Sequence, residues 1–317
     1  MSRCGAVGRT LSWISVAVMI GCTSAGAGDD DSAGDDDTVA DDDDTELGEP
    51  DEASGVIAVA EMYNEGGSGL SWSASIGGQL YDGPSPTFHR VTMEQVECVY
   101  YELQPGLCDP PCAPDEACDA YDECQAYPAG VSAGTLTVSG IAEPVVIEPQ
   151  EWYPGLYYGP HGLPADLFDV GAVITADFVG DQLPPLTLDA LGVAPMDTAL
   201  ADEDFVIVQG QDNLFTWTPG PDPSALVEIV INATNVAHGA PLSDIIQCVG
   251  PDDGEMTIPQ DMVDAFPLDQ LPDSCTHFDC PPSELTRYTT SAADVDGQTI
   301  RLIVRSAVYF MGGEQIG

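Results

Sequence analysis

Lysine is absent from this 317-residue chain, and its only basic residues besides four His are six Arg, set against 54 Asp and Glu. A protein that grips nucleic acid must neutralise phosphates with Lys and Arg, so nucleic acid is excluded as a partner. Electrostatic docking on an anionic lipid surface is excluded for the same reason. No apolar run is long enough to cross a membrane as a helix; the best, Leu11–Ile20, has about half of the twenty residues needed. Helical periodicity is nearly absent, and 26 Pro argue against long helices. The G-x-S-x-G elbow, the phosphate-cradling loop, H-E-x-x-H and the dinucleotide fingerprint are all missing, which removes the commonest routes to an enzymatic reading.

What is present begins with an export signal. Arg3 and Arg9 are the only charges before residue 29, and a short apolar stretch and then small residues follow them. Met19-Ile20-Gly21-Cys22 resembles the lipobox of bacterial lipoproteins, although that family favours Leu where Met19 stands. The resemblance implies that Cys22 is acylated and becomes the new first residue, after removal of residues 1–21. Thr23 stands where an Asp would resemble the inner-membrane retention signal, so the outer membrane is expected. An ordinary signal peptide cut after Ala25 or Ala27 would instead give a soluble secreted product. Several acyl chains would hold the protein firmly, since each buried methylene contributes about 0.8 kcal/mol.

Residues 29–52 hold fourteen acids, no base and almost nothing apolar. Such a segment buries too little surface to offset its ordering entropy, and its charges repel and extend it. Residues 22–54 therefore read as a disordered acidic tether, reaching about 110 Å at full stretch. A loose calcium sponge is the alternative, but calcium needs six to eight oxygens held in place. The other forty acids face only Arg90, Arg287, Arg301 and Arg305, so the body keeps a charge near −36. That favours solubility, and it admits a cationic partner.

Eight Cys lie in the body: Cys98, Cys108, Cys112, Cys118 and Cys124 early, Cys248, Cys275 and Cys280 late. An even count in an exported chain points to disulfides. If all eight pair, at least one bond must join the early group to the late one, because five and three are both odd. The segment between Cys108 and Cys124, rich in Pro, Asp and Glu, is expected to close on itself. Zinc is the rival, through Cys275-Thr-His277-Phe-Asp-Cys280, but the C-x2-C pair typical of such sites is missing. Neither metal nor cofactor is assigned.

Short β-branched and aromatic runs bounded by Gly, Pro, Asn and Asp predict an all-β body. Expected strands are 55–60, 70–76, 87–93, 96–103, 135–140, 144–148, 171–178 and 185–188. In the second part they are 205–209, 214–218, 226–232, 245–249, 255–258, 285–290 and 298–310. One short helix is expected over 260–266. The pattern suggests two β-sandwich domains of immunoglobulin-like type, 55–200 with a Cys-rich loop over 98–124, and 201–317. The boundary falls in the polar stretch 195–204. Trp217 should be buried, and Pro251-Asp-Asp-Gly254 should turn a hairpin.

Leu214-Phe-Thr-Trp217-Thr-Pro-Gly220 followed by Leu226–Ile231 resembles the early strands of fibronectin type III domains. The mature chain is also similar to Asp-tethered outer-membrane lipoproteins of the myxobacterial type. That likeness rests on Cys108-Asp-Pro-Pro-Cys112, Ser132–Gly140, Leu163-Pro164 with Phe168, Gly192-Val-Ala-Pro195, Trp217–Gly220, Cys248 and Asp252-Asp-Gly254. It implies a surface lipoprotein and supplies no catalytic residue.

His89, His161, His238 and His277 stand singly, and among 54 acids carboxylate pairs are inevitable. Asp294-Val-Asp296-Gly297 lacks the rest of a calcium loop and reads as a turn. Within Glu151–His161, Trp152, Tyr153, Tyr157 and Tyr158 either close the sandwich or face a ligand. The expectation is a non-enzymatic, membrane-anchored cell-surface protein with a structural or binding role and a protein or glycan partner. The alternatives are an envelope-acting hydrolase, needing an acid or His pair in a cleft, and a calcium-dependent adhesin module.

Overall fold

The computed structural model describes residues 53–66, 69–104, 106–197, 205–233, 244–267, 283–310 and 312–314. The signal segment, Cys22, the tether to residue 52, Cys275, His277 and Cys280 lie outside the described residues. Among those described, strand dominates. The first half contributes β1 (Gly55–Gly66), β2 (Gly69–Leu80), β3 (His89–Gln95), β4 (Cys98–Leu103), β5 (Glu116–Cys118), β6 (Cys124–Ala126), β7 (Leu136–Ser139), β8 (Val145–Ile147), β9 (Leu156–Tyr158), β10 (Val173–Phe178) and β11 (Leu186–Leu191). The second contributes β12 (Phe205–Ile207), β13 (Asn213–Thr216), β14 (Leu226–Asn232), β15 (Ile245–Pro251), β16 (Glu255–Ile258), β17 (Ser283–Val295), β18 (Gln298–Phe310) and β19 (Gly312–Glu314). One short helix, α1 (Gln260–Ala265), follows Pro259.

Nine strands make one large sheet in the order β3-β4-β15-β14-β17-β18-β1-β2-β9. All pairs are antiparallel except β1 with β18. The anticipated division at 200/201 runs through this sheet: β1 lies against β18, and β4 against β15. The polar stretch 195–204 interrupts the strand pattern, as a linker would, but the flanking chain returns to the same sheet on both sides.

Alternation along the strands explains why two cores lie on one face. On β18, Ile300, Leu302 and Val304 enter one hydrophobic cluster, and Val308 and Phe310 enter another. Residues two apart share a face, so both clusters cover the same side. The first core closes under the four-stranded sheet β11-β10-β7-β8, which contributes Leu136, Val138, Ile174, Phe178 and Leu188. The second closes under the β13–β16 pair and α1, through Phe215, Met256, Ile258, Met262 and Val263. Fully buried side chains of this size contribute about 1.5–3 kcal/mol each. Two sandwich cores are therefore present, and they share one sheet.

A polar row separates them. Glu61, Ser306 and Arg287 are register neighbours across β1, β18 and β17, all pointing to the core side. Each is under 5 % exposed. The chain that runs above the seam is pinned to it. Leu167 and Phe168 donate their backbone N–H to Glu61 Oε1 at 2.7 and 3.3 Å. Met196 N–H donates to Ser306 Oγ at 2.9 Å, and Arg287 Nη1 donates to the carbonyls of Ala194 and Pro195 at 3.1 and 2.9 Å. A buried polar group without such partners would cost several kcal/mol. The row thus fixes where 166–168 and 194–196 cross the sheet.

Asp252 completes the seam. Its carboxylate meets Arg287 Nε at 2.6 Å and accepts from Trp217 Nε1 and the Gly220 N–H, both at 2.7 Å. Trp217 is buried, as its strand context predicts. The 251–254 segment is a turn with Gly254 at φ 106°, but it is not a hairpin, because β15 and β16 belong to different sheets. The Asp294–Gly297 segment does close a hairpin, β17 to β18, with Asp296 at φ 52° and Gly297 at φ 81°.

Candidate functional site

Three disulfides are formed among the described residues. Cys98–Cys248 bridges β4 and β15, which are direct register partners, and so joins the early and late parts of the chain across 150 residues. Cys108–Cys118 and Cys112–Cys124 close the small loop on itself. Asp119 nucleates that loop: Oδ1 accepts from the Tyr121 and Glu123 N–H at 2.8 and 2.9 Å, and Oδ2 from Gln125 Nε2 at 2.7 Å. Its carboxylate is thereby occupied with loop geometry. The sulfurs of Cys108, Cys112 and Cys124 lie within 4.8 Å of one another. They belong to the two closed bridges, and a metal ligand would have to be a thiolate.

The four aromatics of the 151–161 segment separate by strand alternation. Tyr157 is fully buried in the first core. Its hydroxyl donates to the Gly134 carbonyl and accepts from the Ala133 N–H, both at 2.9 Å, and its ring stands edge-on to Phe178. Tyr158, the next residue, points the other way and is 42 % exposed, with His161 packed against its ring at 5.4 Å. Trp152 is 68 % exposed, and Tyr153 lies half-buried beside it. Tyr153 also hydrogen-bonds the Tyr81 hydroxyl, and burial raises the Tyr81 pKa.

The backbone presenting these rings is tightly fixed. Gln150 N–H donates to Leu156 O at 3.0 Å, Tyr153 N–H to Gln150 O at 3.0 Å, and Leu156 N–H to Tyr153 O at 2.9 Å. Gly155 O accepts from Leu80 N–H at 2.9 Å, and Gly159 N–H donates to Ile76 O at 2.8 Å. A Cβ on Gly155 would sit 2.1 Å from the Leu80 carbonyl oxygen, so only glycine fits this close approach. The turn thus hangs on β2 and the edge strand β9, holding Trp152 and Tyr158 out to solvent. Rigid exposed aromatics offer large contact area at low entropic cost.

A second group lies on the face of the large sheet opposite the two cores, where Thr286 and Ala307 are also buried. Glu284 takes a salt bridge from Arg305 Nη1 at 2.8 Å, with side chains 13 % and 20 % exposed respectively. Thr286 Oγ1 also donates to Glu284, and Gln247 Nε2 donates to Glu228. Burial and the nearby Glu284 charge raise the Glu228 pKa. This carboxylate pair came from β14 and β17, 56 positions apart in sequence, and nothing in the local pattern marked it.

None of the four Arg among the described residues stands fully in solvent. Arg90 donates to the Ala120 carbonyl at 2.5 Å and lies over the Tyr121 ring. Arg287 is buried, and Arg301 and Arg305 are half-buried. No described helix is long and apolar enough to cross a membrane.

No protein-family model and no curated protein matches the chain. Among solved structures it is similar to the FN1–FN3 domains of chicken CNTN1, with 10 % identity and a TM-score of 0.15, over 72 % of this chain and 66 % of that one. The chain thus spans just under two thirds of that neighbour. A score this low carries no argument about shared fold. The described residues form an all-β body with two sandwich cores on one sheet, stapled by disulfides.

Proposed function

We propose that this chain is a non-catalytic, lipid-anchored surface protein of the cell envelope that binds a partner through the aromatic edge at 152–158. The observation that carries this is the outward presentation of Trp152, on a turn fixed by hydrogen bonds to β2, and of Tyr158 on the adjoining edge strand β9. Large apolar rings left in water on a rigid support are a typical mark of a binding surface. Three disulfides within one body support an oxidising compartment, which is where the export signal would send it. In this reading Cys22 carries the acyl chains, and residues 22–54 act as an acidic spacer lifting the body off the outer membrane. The test is retention of an envelope fraction by immobilised protein. Parent should retain it, and the pair Trp152→Ala and Tyr158→Ala should not, while keeping the parent's thermal unfolding. Equal retention by parent and variant would remove the reading.

A second reading, an envelope-acting hydrolase, has one observation in its favour. Glu228, its pKa raised chiefly by burial, lies beside the ion-paired Glu284, and a carboxyl with a raised pKa can serve as a general acid. Both carboxylates are already engaged within the sheet face, by Gln247, Thr286 and Arg305, which favours a structural role. Turnover of an envelope polymer that Glu228→Gln abolishes would reverse this preference.

A further inference from the structure

We infer that the partner at the aromatic edge is cationic: a Lys- or Arg-rich polypeptide segment that sets an ammonium or guanidinium group over Trp152. This rests on the binding role proposed above and names the chemistry of its partner. Two independent observations carry it. The first is local. Trp152 is 68 % exposed and directly follows the exposed Glu151. Indole is the best aromatic face for a cation, and an adjacent carboxylate adds Coulomb attraction. The second is global. The chain has no Lys, and of the four Arg of its body Arg287 is buried while Arg90, Arg301 and Arg305 are half-buried. Only these half-buried Arg oppose an approaching cation on the described surface, and the net negative charge disfavours polyanions such as acidic polysaccharides. A neutral sugar could stack on the same ring, but it would draw nothing from that field.

The experiment titrates full-length protein in detergent with a labelled peptide of alternating Lys and Gly, and separately with cellohexaose as a neutral sugar. The peptide should bind and perturb tryptophan fluorescence, with affinity falling as salt rises. Trp152→Ala should weaken it about two- to thirtyfold, the range spanned by exposed and desolvated cation–π contacts. Trp152→Phe should restore part of the loss. Because Trp152 is exposed, the variant should unfold at the parent's temperature, which separates lost contact from lost fold. Peptide affinity unchanged in Trp152→Ala would overturn the inference, since binding would then be diffuse attraction alone. If cellohexaose binds in a Trp152-dependent way and the peptide does not, the cationic partner is wrong but the aromatic edge stands as a binding surface. If neither ligand depends on Trp152, both readings fall.

Discussion

Arg287 and Asp252, 35 positions apart in sequence, form a salt bridge at 2.6 Å with their side chains only 2 % and 1 % exposed. The pair sits at the seam between two apolar cores and ties four segments together. Arg287 also reaches Ala194, Pro195 and Thr218, and Asp252 reaches Trp217 and Gly220. Removing one partner of a buried pair leaves the other charged and without its counter-charge. Asp252→Ala should therefore destabilise by about 3–5 kcal/mol in urea unfolding. Replacing both, as Asp252→Leu with Arg287→Met, should cost clearly less than the two single changes added together. Additive losses would show that the pair does not act as a unit.

Glu61 makes the seam sensitive to pH. Burial raises its pKa above the ordinary value of 4.5, the two backbone N–H bonds pulling the other way only in part. The protonated form is thus favoured on folding. Its stabilising contribution is full below about pH 4.5 and is lost as pH rises through the raised value. Glu61→Gln keeps an acceptor for Leu167 and Phe168 without the charge. The variant should gain stability relative to the parent between pH 4 and pH 7, as read by chemical denaturation at both. A constant difference across that range would contradict the assignment.

The disulfides should rank by the chain they enclose. Closing the 150-residue separation of Cys98–Cys248 constrains the unfolded chain far more than closing the ten of Cys108–Cys118. The chain-entropy estimate gives about 5 and about 2.7 kcal/mol. Paired Cys→Ala changes at 98 and 248 should lower the urea midpoint more than the pair at 108 and 118. The reverse order would mean that the large sheet holds its two halves together without that bond.

Gly155 separates the support of the aromatic edge from its surface. Gly155→Ala forces a Cβ against the Leu80 carbonyl, and should cost about 1–3 kcal/mol and reduce binding together. Trp152→Ala should reduce binding alone. Thermal unfolding and peptide titration of both variants distinguish the two effects.

Much of this fold was legible because period-two alternation and turn residues are local signals. The reading places strands at 226–232, 255–258 and 298–310 with the observed bounds, and the helix after Pro259 within one residue. The short strands 116–118 and 124–126 escaped because disulfides and Asp119, rather than β-propensity, shape them. The seam was illegible in principle: Glu61, Arg287 and Ser306 become neighbours only through strand register over long separations. The shared sheet was hidden for the same reason, since the polar stretch 195–204 looks like a domain linker whether or not the chain returns to one sheet. The aromatic segment could have been resolved further. Adjacent residues on a strand point to opposite faces, so with Tyr157 in the first core Tyr158 must turn away from it.

All of this depends on the chain leaving the cytosol and being oxidised there. The direct measurement is intact and peptide mass spectrometry of the protein taken from membranes without reductant. The account predicts a first residue at Cys22 carrying acyl mass, and linked peptides for Cys98–Cys248, Cys108–Cys118 and Cys112–Cys124. A retained Met1, or free thiols at those six positions, would contradict it.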